Sequence, residues 1–90
     1  MNMRNREERL LKERFKLANR VKELRRIVGW SQEDLEDEAE LSRKTIGHVE
    51  NARFDVKFST ICKIARALHV SVSYLLNFEE DLERKEYNWE

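Results

Sequence analysis

The chain has 90 residues, no Pro, two Gly and one Cys, and 40% of it is charged, with equal numbers of basic and acidic residues. Such a composition suits one domain of short helices around a modest core and leaves little for sheets or Pro/Gly linkers. A lone Cys excludes an internal disulfide and a cysteine-rich zinc site and fits a reduced, cytoplasmic setting. No apolar run approaches the roughly 20 residues of a membrane span, and the N-terminal MNMRNREERL lacks the apolar centre of a secretory signal.

In chain order, residues 4–28 can be helical throughout. Leu10, Leu11, Phe15, Leu17, Val21, Leu24 and Val28 recur at three- and four-residue steps. Nothing interrupts the run before Gly29, a natural left-handed residue just past a helix end. Next comes SQEDLEDEAELSRKTIGHVE, residues 31–50. Ser31 is an N-cap with Asp34 three residues on to close a capping box, and Trp30 and Leu35 have the spacing of a hydrophobic staple. The pattern repeats at once: Ser42 can cap a further helix, with Leu41 and Ile46 as its staple. The spacing predicts helix two near 32–39 and helix three near 43–50, separated by about three residues, which is helix-turn-helix spacing.

Residues 51–57 read as a loop and 58–68 as helix four. His69 stands at the helix end, tolerated in the left-handed region less well than Gly. Ser71 caps helix five, which holds Val72, Leu75 and Leu76 and has a pattern that could run on through Leu82. The periodicity assigns Val21, Leu24, Val28, Leu35, Ala39, Leu41, Ile46, Val49, Phe58, Ile61, Ile64, Ala65, Leu68, Val72 and Leu75 to the core. Cys62, beside that core, reads as a small hydrophobe.

The ordered pieces Ser31-Gln32-Glu33-Asp34-Leu35, Ala39, Leu41-Ser42, Ile46, Val49-Glu50 and Lys63-Ile64-Ala65-Arg66-Ala67-Leu68 resemble the helix-turn-helix domains of lambda-type repressors and xenobiotic-response-element-type regulators. The match covers about two thirds of the chain, from Leu17 to Phe78. It implies an all-α, five-helix DNA-binding domain over residues 15–78. Residues 1–14 are then a charged N-terminal extension and residues 79–90 an acidic C-terminal tail. The extension is either a longer first helix or a frayed arm, and the unbroken periodicity favours helix.

The resemblance places helix three in the DNA major groove. Ile46 and Val49 face inward, so Arg43, Lys44, Gly47 and His48 face outward. Arg or Lys can donate to guanine O6 and N7. Thr45 can reach phosphate or a thymine methyl, and Ser42 sits at the helix start. Gly47 permits close approach to the groove at a helix cost of ~1 kcal/mol against Ala. His48 is equally plausible as a surface His with no duty. Gln32, at the positive N-terminal end of helix two, can hydrogen-bond phosphate or a base edge. By resemblance, Asn51 and Arg53 lie along the phosphates beside the groove, where contacts position the protein without reading sequence. The resemblance also pairs Arg25 of helix one with Glu50, an ion pair that is structural.

Three residues depart from the family pattern. Glu36 replaces a small Ala and must snorkel or pair, with Lys44 or Arg53 as the partners in view. Glu40 replaces the turn Gly, and Lys57 the Ser that caps helix four. Charge is distributed unevenly as well. Residues 1–30 hold ten Lys/Arg against four Asp/Glu, and residues 31–60 hold four against eight. A positive DNA-binding surface must therefore be made locally, from helix one and the recognition helix.

Nothing resembles a nucleophile–base pair, a metal cluster or a phosphate loop, so neither enzyme activity nor a cofactor is expected. The reading is a prokaryotic, sequence-specific transcription regulator that binds double-stranded DNA as a homodimer on a palindromic operator. Tyr74, Phe78 and Leu82, left without an inward place, form the expected dimer interface. Thr45-Ile46-Gly47-x-Val49-Glu50 and Val56 look most like controller proteins of restriction–modification systems; small phage repressors and antitoxins are not separated from them by sequence. The rival from another class is an antitoxin or adaptor that uses the domain to bind a toxin or other protein partner, with weak DNA affinity. The neutral charge, the acidic helix two and the aromatic tail motivate it.

Overall fold

A computed structural model describes residues 3–78, with side chains from residue 6. All regular structure among the described residues is helical: α1 (Met3–Val28), α2 (Gln32–Ala39), α3 (Thr45–Glu50), α4 (Phe58–Ala67) and α5 (Val72–Leu75). The N-terminal extension continues α1 without a break, as the periodicity favoured. α1 packs on α3 and α5, α2 on α3 and α4, and α4 on α5.

The caps at two helix starts are local and follow the sequence. Ser31 Oγ accepts the Asp34 N–H at 3.0 Å and Asp34 Oδ2 accepts the Ser31 N–H at 2.9 Å, which completes the capping box. Ser71 Oγ accepts the Tyr74 N–H at 3.0 Å and starts α5. Lys57 stands at the N-cap of α4 with no side-chain cap. Helix ends use left-handed residues. Gly29 has φ 82°, and its N–H and that of Trp30 close back on the Arg26 and Arg25 carbonyls. Glu40, Ala52 and His69 end α2, α3 and α4 in the same way at φ 58°, 55° and 61°. Each takes without Gly a conformation that costs an L-residue roughly 1–2 kcal/mol.

The start of α3 differs from expectation. The helix begins at Thr45, not at residue 43, and its N-cap is Lys44, left-handed at φ 73°, rather than Ser42. Arg43 and Lys44 therefore belong to the turn ahead of the helix. The physical reason lies outside the segment: the Glu36 side chain reaches over from α2 and accepts the Ile46 N–H at 2.9 Å. This supplies a cap from another helix. α5 ends at Leu75 rather than continuing, and Leu82 lies outside the described residues.

The core joins Leu17, Val21, Leu24, Leu35, Ile46, Val49, Ile64 and Leu75, with Leu41, Ile61 and Val72 half-buried around it. Two expected members are exposed. Phe58 is the first residue of α4, where side chains lean back over the preceding loop. Val28 walls an open groove of ≈ 340 Å³ with Leu24, Ile27, Leu68, Val70 and Tyr74. Ala18, Ala52 and Ala67 are buried although the periodicity did not assign them. Phe78 and Tyr74 pack against the core, which corrects the view that they have no inward place. Arg20 is the cause for Tyr74: it is buried, donates to the Tyr74 carbonyl at 2.8 Å and lies 4.5 Å from the ring centroid, a cation–π geometry.

Candidate nucleic-acid interface

α3 is six residues long, far below the ~12–15 that an isolated helix needs in water. Tertiary contacts must hold it. At its C-terminal end Glu50 is buried and takes three donors: Arg25 Nε at 2.7 Å, Arg25 Nη2 at 3.0 Å and Gln32 Nε2 at 3.0 Å. Arg25 Nη1 also donates to the Trp30 carbonyl at 2.6 Å. One guanidinium thus ties α1, the α1–α2 turn and α3 together. The hydrogen bond that Arg25 donates to Glu50 raises the Arg25 pKa above its ordinary value, with burial opposing it. Breaking one side of such a pair leaves a buried charge unmatched.

Gln32 is therefore not a free side chain. Its amide nitrogen is engaged by Glu50, which leaves the carbonyl oxygen to accept from outside. Gly47 lies directly beside it: a Cβ at Gly47 would sit 3.3 Å from Gln32 Oε1. Gly47 thus has a packing reason as well as the groove-approach reason expected from sequence. Asn51 is also partly committed, because its Nδ2 donates to the Gly47 carbonyl at 2.8 Å and closes the end of α3. His48 is exposed and meets Phe54 edge-on, with ring centroids 5.8 Å apart. Ser42, Lys44 and Arg53 are exposed and Thr45 half-buried. Ile46 and Val49 are buried, so α3 presents the outer side that the sequence assigned.

The N-terminal end of α3 is built differently. Glu36, 1% exposed, caps Ile46 and also meets Arg43 Nη1 at 3.4 Å. Its partners are Arg43 and a backbone amide, not Lys44 or Arg53. Arg43 further contacts Asp37 Oδ1 at 3.1 Å and the Glu33 carbonyl at 3.4 Å. Asp37 first, and after it Glu36 and Glu33, raise the Arg43 pKa above its ordinary value, with desolvation opposing them. Gln32, Glu33, Glu36, Arg43 and Lys44 line a shallow cleft of ≈ 280 Å³ where α2 faces this turn. Sequence reasoning missed Asp37 as a partner of Arg43. The available signal was the acid-rich α2, with Glu36-Asp37-Glu38 in succession, followed a few residues later by the basic pair Arg43-Lys44.

A helix held across a second helix, with bases on its leading edge and a polar outer side, has the geometry of a helix-turn-helix reading head. The helix-turn-helix family profile matches residues 21–75, more than half of the chain. The chain belongs to the helix-turn-helix family. It is similar to Control protein C.SmaI of Serratia marcescens, 42% identical over 60 residues that span 67% of this chain and 71% of that protein. It is also similar to the crystal structure of a hypothetical transcription factor, NHTF, from Neisseria: TM-score 0.67, 38% identity, covering 70% of this chain and 72% of that one. This helix-turn-helix protein is a DNA-binding transcription regulator of the lambda-repressor-like type. Among the described residues no helix is long and apolar enough to cross a membrane.

Proposed function

We propose that this regulator acts in the cytoplasm as a homodimer on a palindromic operator, in the manner of a restriction–modification controller. The observation that carries the reading is the presentation of α3 and the turn ahead of it: Ile46, Val49 and Glu50 are held inside while Arg43 and Lys44 of the turn and His48 of the helix are exposed. In this reading Arg43 and Lys44 donate to base edges. Thr45 and His48 flank them, Gln32 offers its carbonyl oxygen, and Ser42, Asn51 and Arg53 lie along the phosphates. Similarity to a control protein favours the controller over phage repressors and antitoxins. Arg43→Ala and Lys44→Ala are each expected to weaken operator binding by ~1–3 kcal/mol and to relax selectivity at one base position, with the fold intact. Sequencing DNA selected from a random duplex pool by wild type and variants is the test. Recovery of no preferred sequence by wild type would sink the regulator reading and favour a protein-interaction adaptor.

Two-fold symmetry follows from need, because one short helix reads only a few base pairs. A dimer would set its helices ~34 Å apart in successive major grooves. The groove beside Ile27 and Val28 supports an interface that includes Tyr74. Ile27 is 64% exposed there, while Phe78 is packed against the core. Ile27→Glu should therefore give a folded monomer with much weaker operator binding, measured by sedimentation and anisotropy. A wild type that stays monomeric at tens of micromolar and on its operator defeats the dimer.

A further inference from the structure

We propose that Asp37 is a positioning residue for Arg43: it parks the guanidinium on α2 in the free protein, and DNA is engaged by exchanging that carboxylate for a nucleic-acid acceptor. The proposal rests on the regulator reading above. Arg43 is the one basic residue of the turn that meets carboxylates of α2, with Asp37 Oδ1 at 3.1 Å and Glu36 Oε1 at 3.4 Å. The Glu33 carbonyl, 3.4 Å away, completes the seat.

The two acids have different duties. Glu36 is buried and bound to the Ile46 N–H, so it cannot follow Arg43 out of the fold. Asp37 is exposed, with 67% of its side-chain surface accessible, and nothing but Arg43 pairs with it among the described residues. Arg43 is itself 56% exposed. Its contacts are long for charge-assisted bonds, which close to about 2.7–2.9 Å at their best. A seat of this kind is weak enough for a guanine edge or a phosphate to displace. Its effect is to lower the fraction of protein in which Arg43 is ready, and apparent affinity falls by that fraction.

Operator affinity of wild type, Asp37→Asn, Arg43→Ala and the double variant tests the exchange. Releasing Arg43 should tighten binding by about two- to fivefold, the range set by an exposed ion pair. The gain should vanish in the Arg43→Ala background, and Asp37→Glu should restore wild-type behaviour. Glu38→Gln, which removes a charge from the same helix without releasing Arg43, should gain less. An equal gain with and without Arg43 reduces Asp37 to diffuse charge and overturns the proposal, as does the absence of any gain. The parked state is read without DNA from the Arg43 Nε–H resonance in nitrogen-15 NMR, which should shift and exchange faster in Asp37→Asn. An unchanged resonance with intact DNA binding defeats the parking alone. A wild type that selects no DNA sequence defeats the regulator reading and the exchange with it.

Discussion

The two ends of α3 are each held by a buried glutamate from which an arginine can be reached, yet they are committed to opposite degrees. At the C-terminal end Glu50 closes on Arg25 at 2.7 and 3.0 Å, and Gln32 adds a third donor. At the N-terminal end Glu36 closes on a backbone N–H at 2.9 Å, and its arginine stands off at 3.4 Å with most of its surface in water. Burial and partner count decide the difference. Arg25 has only 11% of its side-chain surface accessible and can go nowhere else, whereas Arg43 can. One end is an anchor and the other a hinge for charge. The same pair of residue types is thus locked in one place and left displaceable in the other.

The comparison breaks first at the anchor. Arg25→Ala should destabilise the domain by ~2–4 kcal/mol, because it strands a buried Glu50 carboxylate. Urea unfolding measures this, and a double-mutant cycle with Glu50→Gln should show coupling; additive effects would remove the pair from the account. At the other end, Glu36→Ala should cost ~1–3 kcal/mol, the penalty for a buried Ile46 N–H left without an acceptor. It should also free α3 at its start, seen as faster amide exchange at Ile46. A neutral or stabilising result would mean that the Ala usual in the family is the better residue and that the cap is incidental. The smallest effect concerns Gly47. Alone, Gly47→Ala should change stability little, since helix propensity gained is offset by crowding against a pinned Gln32. In a Gln32→Ala background it should stabilise by ~0.5–1 kcal/mol. Equal gains in both backgrounds would show that Glu50 does not fix Gln32.

What was legible in the sequence was what is decided locally. Ser31 with Asp34, Ser71 and Gly29 each act on backbone groups within three residues or so, and each is found where its spacing put it. Glu40, at the turn-Gly position, and His69, at the end of α4, both take left-handed backbone, and their place at a helix end was legible. Ser42 failed as a cap for a non-local reason: Glu36, ten residues before Ile46, had already supplied the acceptor. Periodicity marked Phe58 and Val28 as apolar but could not say that one stands exposed at the start of α4 and the other lines an open groove. The outward face of α3 was legible, since two buried residues three apart fix it. Which acids of α2 would meet Arg43 was not, because that depends on how two helices cross.

The brevity of α3 has a thermal consequence. A helix of six residues has no melting behaviour of its own; it exists while the cores of α1 and α2 keep both its ends in register. The reading surface should therefore vanish in one step with the whole domain rather than fray in advance. Operator occupancy plotted against temperature would fall along the protein's own unfolding curve, displaced upward by the DNA it holds. Arg25 and Glu50 at one end and Glu36 at the other therefore help to set the temperature at which α3 is lost.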